Sequence, residues 1–445
     1  MARVLFGTDG IRGVAGENPL DEKTVYATGV ALGSWVAASG RQRSVLIGMD
    51  TRESGRWIAS LIAGGLARHS IHVEFAGVTT TPGIAYLAKT GPFAAGVMIS
   101  ASHNPYRDNG IKVLGHSGFK LPDEVEEQIE AGIFQALAGA PAPISAELTA
   151  DPNLDHAYSD HLASTVPGGL AGFDIVVDCA NGGASFLAPQ LFERLGARVH
   201  AIGVSPDGRN INLNCGSLHL EALRRTVLER GAQLGVAFDG DADRALFVAR
   251  SGKMIDGDAV LLMNGRDLHR AGRLSVVVAT VMSNLGLEKA LAADGIALLR
   301  TPVGDKYVLE KMIECGAILG GEQSCHVIFL DYATTGDGIL TALRVLDVMR
   351  RSGKNLDELT GDLQVLPQLL VNIRVREKKP LEQLAPVQAA IADVENEFAG
   401  WGRVNVRFSG TEPLARVMVE GPDMERVKAA AERIASEIRS ALGSE

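Results

Sequence analysis

The sequence predicts an α/β protein built from three similar three-layer units followed by a smaller α+β unit. Two observations predict it. Short apolar runs alternate with amphipathic stretches in a βαβ rhythm that stops and restarts twice along the 445 residues. After Val365 that rhythm gives way to strand, helix, two strands and a last helix. A chain this long, with 46% hydrophobic and 22% charged residues, also exceeds what one core serves well.

The elements follow in order. SVLIGMD at 44–50 is a strand, Ser54 to His69 a helix, HVEFAGV a strand, a short helix comes after Pro82, and AAGVMIS at 94–100 is the next strand. Helical crossovers between such strands call for parallel pairing. A Pro/Ala-rich stretch near 139–153 reads as a linker. The second round is FDIVVDCA, a helix from Ala184 to Leu195, ARVHAIGV, a helix from Leu218 to Arg230, and LGVAFDGD. The third is SVVVAT, a helix from Asn284, IALLRTPVG, a helix from Asp305 to Cys315, and AILGGEQS. Strands around RFSGTEP and a helix from Asp423 to Leu442 close the chain, giving boundaries at 1–152, 153–254, 255–366 and 367–445.

A formal net charge of −10 argues against nucleic acid and anionic membrane as partners, so an anionic ligand requires a locally basic cleft. Cys179, Cys215, Cys315 and Cys325 show neither CxxC nor Cys/His spacing, which predicts no zinc site or disulfide framework and suits a reducing cytoplasm. The N-terminal MARVLFGTDGIRG has no apolar leader, and no run approaches 18 apolar residues.

Each chemically loaded motif falls just after an apolar strand, where open α/β sheets bind ligands. Asp239-Gly-Asp241-Ala-Asp243-Arg244 spaces carboxylates two apart, which sends them to one side of an extended strand or open loop and suits Mg²⁺ with phosphate as a further ligand. A calcium EF-hand fails, with Arg244 at the sixth position and Arg250 at the twelfth. Taken alone, the motif also reads as a solvated acidic turn. Ser102, in Ile99-Ser100-Ala101-Ser102-His103-Asn104-Pro105, is expected exposed at the sheet edge as a nucleophile, although a plain polar loop competes. No GxSxG elbow supports a serine hydrolase.

Arg407-Phe-Ser409-Gly410-Thr411-Glu412-Pro413 with Arg416 gathers guanidiniums, hydroxyls and a glycine into a phosphate cradle between two strands. Neither a Walker A sequence nor GxGxxG is present to indicate a nucleotide. Gly320-Gly321-Glu322-Gln323-Ser324-Cys325-His326 offers an acid, an amide, a hydroxyl and an imidazole to sugar hydroxyls or an amine, with a structural role for His326 equally open.

In this order, FGTDGIRG at 6–13, ISASHNP, DGDADR, GGEQS and RFSGTEPLARVMVE resemble the α-D-phosphohexomutase superfamily over Phe6 to about Glu420, and most closely its amino-sugar branch. The resemblance implies mixed sheets, four domains around a central cleft, and a cytoplasmic enzyme interconverting glucosamine 6-phosphate and glucosamine 1-phosphate for UDP-N-acetylglucosamine supply. It implies a phosphoserine at Ser102, a hexose 1,6-bisphosphate activator, a possible homodimer, and Mg²⁺ held by Asp239, Asp241, Asp243 and the Ser102 phosphate.

The same resemblance puts Arg12, His103, Lys112 and Arg244 at the reaction centre and Glu322 and Ser324 on the sugar. Lys306 helps choose the sugar's orientation, and Arg407, Ser409, Gly410, Thr411 and Arg416 hold the non-reacting phosphate. His103 and His326 are both candidates for the general base. The chain departs from the family pattern at Cys325, where glycine is usual, and at Phe408, where proline is common. The rival readings are a glucose or mannose phosphate mutase, a serine- and metal-dependent sugar phosphatase, and a catalytically silent sugar-phosphate sensor.

Overall fold

The computed structural model describes residues 4–7, 9–139, 142–409 and 413–443. The first unit comprises β1 (Phe6–Gly7), β2 (Gly10–Val14), α1 (Glu22–Ala38), β3 (Ser44–Met49), α2 (Gly55–Ala67), β4 (His72–Val78), α3 (Thr81–Thr90), β5 (Ala95–Ile99), β6 (Asp108–Gly115) and α4 (Asp123–Ala138). Its sheet runs β1-β2-β6-β5-β3-β4. Strands β4, β3 and β5 are parallel, as helical crossovers require, whereas β6 pairs antiparallel to β5 because the short serine loop connects them directly.

The second unit holds α5 (Pro152–Ser164), β7 (Asp174–Asp178), α6 (Ala188–Arg194), β8 (Arg198–Ile202), α7 (Glu221–Arg230), β9 (Leu234–Phe238), β10 (Ala245–Ala249) and β11 (Met254–Ile255), in sheet order β11-β10-β9-β7-β8. Strand β9, LGVAF, is buried throughout, which is why it reads as an unbroken apolar run rather than an alternation. The expected helix from Ala184 starts only at Ala188; the preceding residues form turns that let Gly183 N–H reach Gly240 O at 2.8 Å.

The third unit is α8 (Gly257–Arg270), β12 (Val276–Thr280), α9 (Leu285–Ala293), β13 (Ala297–Thr301), α10 (Asp305–Cys315), β14 (Leu319–Gly321), β15 (Val327–Phe329), α11 (Gly338–Ser352) and α12 (Leu356–Thr360), in order β13-β12-β14-β15. All three α/β sheets are therefore mixed. The fourth unit has β16 (Gln368–Arg374), α13 (Ala385–Glu397), β17 (Arg403–Phe408), β18 (Leu414–Glu420) and α14 (Met424–Leu442), with an antiparallel sheet β16-β18-β17.

The cores differ in reach. One cluster runs through units two and three, joining Val236, Phe238 and Phe247 to Val277, Leu319 and the α11 residues Ile339, Leu343 and Leu346. Helix α11 is apolar on two sides because it is wedged between two sheets. The stretch near 139–153 does not hang free: Ala146 N–H donates to Ser60 O at 2.9 Å, strapping it across α2.

Candidate active site

Ser102 lies at the turn between β5 and β6, and it is buried (2% exposed) rather than presented at the sheet edge. The cause is the second unit, whose β9–β10 turn closes over it. The Ser102 hydroxyl donates to Asp239 Oδ2 at 2.5 Å, and its N–H donates to Ser100 Oγ at 2.9 Å. Its φ of +52° is left-handed, a strained conformation for a residue with a Cβ.

The three aspartates do not converge by strand alternation. Residues 239–243 form a tight turn with Ala242 at φ +54°, and Gly338 N–H at the start of α11 holds Ala242 O at 2.9 Å. The turn brings donor oxygens of Asp239, Asp241 and Asp243 within 4.8 Å of one another, all buried. Helix α3 supports Asp241 with its own N-terminus, since Thr81 N–H donates to Asp241 O at 3.0 Å and the Thr81 hydroxyl to Asp241 Oδ2. A carboxylate beside helical N–H groups is favoured by the macrodipole.

The charges press for a cation. Burial, then Asp243 and Asp241, hold Asp239 well above the ordinary carboxylate range. Asp241 Oδ1 has no hydrogen-bond partner although it is buried. An all-oxygen set of buried, mutually repelling carboxylates with an orphaned acceptor fits a hard divalent ion.

Lys112 on β6 is buried opposite the trio, its Nζ 2.8 Å from Asp241, 3.2 Å from Asp9 and 3.7 Å from Asp243. Burial works against its charge, yet Asp241 and Asp9 outweigh it and keep the ammonium firmly protonated. Asp9 also takes Lys120 at 2.7 Å and pairs with Arg12. Burial alone would raise the Asp9 carboxyl, but these three cations hold it well below the ordinary range.

His103 Nδ1 accepts from Arg244 Nη1 at 3.2 Å and lies 3.3 Å from the Ser102 oxygen, whose one proton is already given to Asp239. A guanidinium only donates, so Nδ1 accepts and the ring is neutral with its proton on Nε2. Burial, Arg244 and Arg12 agree with this, lowering its pKa to about 4.

His326 is differently engaged. Gly336 N–H donates to its Nε2 at 3.0 Å, and Nδ1 faces Asp243 at 3.6 Å. Burial opposes charge on this ring, whereas Asp243, Asp305 and Glu322 favour it and lift the pKa to about 9. Taking up the second proton that these carboxylates favour requires the Gly336 N–H to turn away from Nε2.

A cavity of about 730 Å³ opens between units one, two and three, walled among others by Asp9, Arg12, His103, Asp243, Arg244, Asp305, Glu322 and His326. Glu322 accepts from Gly304 N–H and from the Ser324 hydroxyl, both at 3.1 Å. The structure does not put Lys306 on this wall: its ammonium turns to Asp123 at 2.7 Å, beside a separate cleft. Cys325 sits at φ +67°, the backbone a glycine would take without strain, and its buried thiol is pushed far up in pKa, so nothing supports a reactive cysteine.

In unit four, Arg407 and Arg416 face each other across β17 and β18. Burial and the neighbouring Arg416 lower the Arg407 pKa, as expected where two guanidiniums stand side by side. Ser409 is buried, and Lys378 donates to its carbonyl at 2.6 Å. Gly410 and Thr411 lie outside the described residues.

Sequence reasoning missed Asp9, Lys120, Asp305, Thr81, Arg52 and Asn212. Asp9 stood inside the quoted FGTDGIRG, three residues before Arg12, where its charge was a usable signal. The others meet the site only through long-range folding.

A serine, three carboxylates and basic groups buried at one junction, with a guanidinium pair on a separate unit, define a phosphoryl-transfer protein of four-domain architecture. Family descriptions agree segment by segment: phosphoglucomutase/phosphomannomutase alpha/beta/alpha domain I matches residues 3–139, domain II 156–252, domain III 256–365, and the C-terminal domain 370–437. A phosphoglucosamine mutase of Solibacter usitatus is 59% identical over 445 residues, covering 100% of both chains. The chain belongs to the phosphoglucosamine mutase family, within the α-D-phosphohexomutases.

Solved structures share the fold at lower identity. A phosphoglucomutase/phosphomannomutase family protein from Burkholderia thailandensis is 24% identical with a TM-score of 0.82, over 98% of this chain and 97% of that one. The Aspergillus fumigatus N-acetylphosphoglucosamine mutase, solved with GlcNAc-6P and magnesium, is 19% identical with a TM-score of 0.66, over 98% and 96%. No helix among the described residues is long and apolar enough to cross a membrane.

Proposed function

We propose that the chain is an isomerase that interconverts glucosamine 6-phosphate and glucosamine 1-phosphate, using Ser102 as phosphoryl carrier. One observation carries the reading: the Ser102 hydroxyl is buried on Asp239, inside a carboxylate trio, with Lys112 and Arg244 beside it. Family membership supports the sugar, since the curated relative is a phosphoglucosamine mutase.

Asp239, Asp241 and Asp243 would hold Mg²⁺ together with a phosphate on Ser102. Bound there, the ion would neutralise charge on the seryl oxygen and the transferring group. Lys112 and Arg244, which flank the aspartates, would stabilise the charge of the loose transition state electrostatically. Arg12 orients incoming substrate on the cavity wall, and Glu322 with Ser324 receives sugar hydroxyls or the amine.

His103 accepts the proton of the attacking sugar hydroxyl on Nδ1, once Arg244 turns from that nitrogen to the phosphate. Its ring is neutral, and a phosphate on Ser102 would add negative charge beside it and raise its proton affinity. His326, with both nitrogens engaged, orients Asp243. The Arg407–Arg416 pair, with Ser409, Gly410 and Thr411, holds the non-reacting phosphate. One reactive serine and one cradle on a separate unit serve both ends of the sugar only if a bisphosphorylated intermediate turns around between two transfers. A hexose 1,6-bisphosphate would therefore load Ser102 and act as activator.

The test is a coupled assay run side by side on glucosamine, glucose and mannose phosphates, with inorganic phosphate measured in parallel. The reading expects the highest kcat/KM on glucosamine phosphates and phosphate conserved on sugar. Faster turnover of glucose or mannose phosphates, or inorganic phosphate as main product, contradicts it.

A further inference from the structure

The serine loop is gripped from two units at once. Arg52, fully buried after β3, spends its whole guanidinium on this loop and on Asp50: Nε donates to Asp50 Oδ2 at 2.9 Å, Nη1 to the carbonyls of Pro105 and Asp108, and Nη2 to Ser102 O and Asn104 O, both at 2.9 Å. The same two carbonyls, Ser102 O and Asn104 O, also accept from Asn212 Nδ2 at 2.9 and 3.1 Å. Asn212 belongs to unit two, 110 residues along the chain.

The position of Asn212 is itself well defined. Its φ is +58°, a conformation that asparagine tolerates better than most residues, and its N–H donates to Ala180 O at 2.9 Å. The backbone of the metal turn lies alongside, since a Cβ added at Gly240 would meet Ser102 O at 2.5 Å and Asn212 Nδ2 at 3.0 Å. Serine loop, carboxylate turn and Asn212 amide thus meet at one point.

We infer that Asn212 is a positioning residue that registers the serine loop of unit one against the carboxylate turn of unit two. The inference rests on the mutase reading and adds to it the device that sets the reach from Ser102 Oγ to the aspartates. Arg52 holds the loop's internal shape from within its own unit, and Asn212 fixes where that shape stands relative to Asp239. In-line transfer is sensitive to such registration, because a displacement of about 1 Å can reduce a rate by roughly 10²-fold.

The test uses full-length Asn212→Gly and Asn212→Asp, both compatible with the left-handed backbone, and leaves Arg52 in place so that the loop keeps its own support. Three readouts are expected to move. Relative to wild type, kcat on glucosamine phosphate falls about 10- to 100-fold while KM stays within about threefold. The rate of Ser102 phosphorylation by glucose 1,6-bisphosphate, followed by intact mass, falls in the same proportion. In the metal-free protein, amide exchange across residues 101–104 quickens about tenfold. The melting temperature shifts by no more than about 3 °C.

A kcat within twofold of wild type in both variants overturns the inference, as does a rise in KM alone or loss of the folded state in both. A wild-type chain that takes no phosphate from the bisphosphate fails the mutase reading itself, and an active wild type with unchanged variants fails only this inference.

Discussion

The junction of units one to three and the attachment of unit four are built from different materials. Units two and three share one apolar core through α11, and unit one locks onto them through buried polar contacts at Asp241, Asp239 and the Ser102 carbonyl. Unit four keeps a core drawn from its own residues among those described. Polar contacts link it to one edge of unit three: Glu420 accepts from Leu285 N–H at 2.9 Å, Arg403 donates to Ser283 O at 2.8 Å, Gln368 to Met282 O at 3.1 Å, and Lys289 to Gly400 O at 3.0 Å.

Separating an apolar core exposes surface at roughly 25 cal/mol per Å², whereas polar contacts can be exchanged for water at small net cost. The difference makes units two and three one block, whereas the polar seam that carries unit four is the easier one to adjust. Under the mechanism proposed above, a sugar that turns around between two transfers would use that freedom.

Four substitutions break or sharpen that contrast, taken from the largest effect down. Ser102→Ala should lower mutase kcat by about 10⁴-fold or more in the coupled assay, with the melting temperature nearly unchanged because only a hydroxyl is lost. Leu343→Ala, in the shared core, should cost about 2–5 kcal/mol in denaturant unfolding. Units two and three should still unfold in one transition, and two separate transitions would deny that α11 joins them. Arg416→Ala should raise KM about 10- to 100-fold and change kcat much less, as expected for a charged contact worth about 1.5–3 kcal/mol on the non-reacting phosphate. A pure kcat effect would place Arg416 in the chemistry instead.

An effect confined to a narrow pH window concerns Asp337, which caps α11 and accepts from the Tyr158 hydroxyl of α5 at 2.7 Å. Burial outweighs its hydrogen bonds and raises its pKa from 3.8 to about 6. A buried acid with a raised pKa is favoured while protonated, so its contribution is present below the unfolded value and lost as pH climbs to the folded one. Asp337→Asn should remove that titration, and over this window its stability should gain on wild type by up to about 3 kcal/mol, then stay level. Parallel stability curves for the two proteins would contradict the raised value.

Much of this was legible in the sequence for a physical reason. Helix α10 runs from Asp305 to Cys315 as the apolar spacing predicts, because a left-handed glycine, Gly316, ends it locally. The motif order revealed the family, since each motif sits on its own strand end. What escaped was set by contacts between distant segments. Ser102 reads as exposed until the second unit covers it, and the aspartates converge through the left-handed turn at Ala242 rather than through strand alternation. Arg52, Thr81 and Asn212 carry no local pattern, as the site groups they hold lie 50 to 160 residues away. Lys306 was predicted for the sugar, yet its charge is met by Asp123 from the first unit.

The most direct test of Ser102 as carrier is peptide mapping by mass spectrometry after incubation with Mg²⁺ and glucose 1,6-bisphosphate. The account predicts one added phosphate, confined to the peptide containing Ser102 and discharged on addition of glucosamine 6-phosphate. A phosphate found on any other residue, or none on Ser102 in a preparation that turns over substrate, would contradict it.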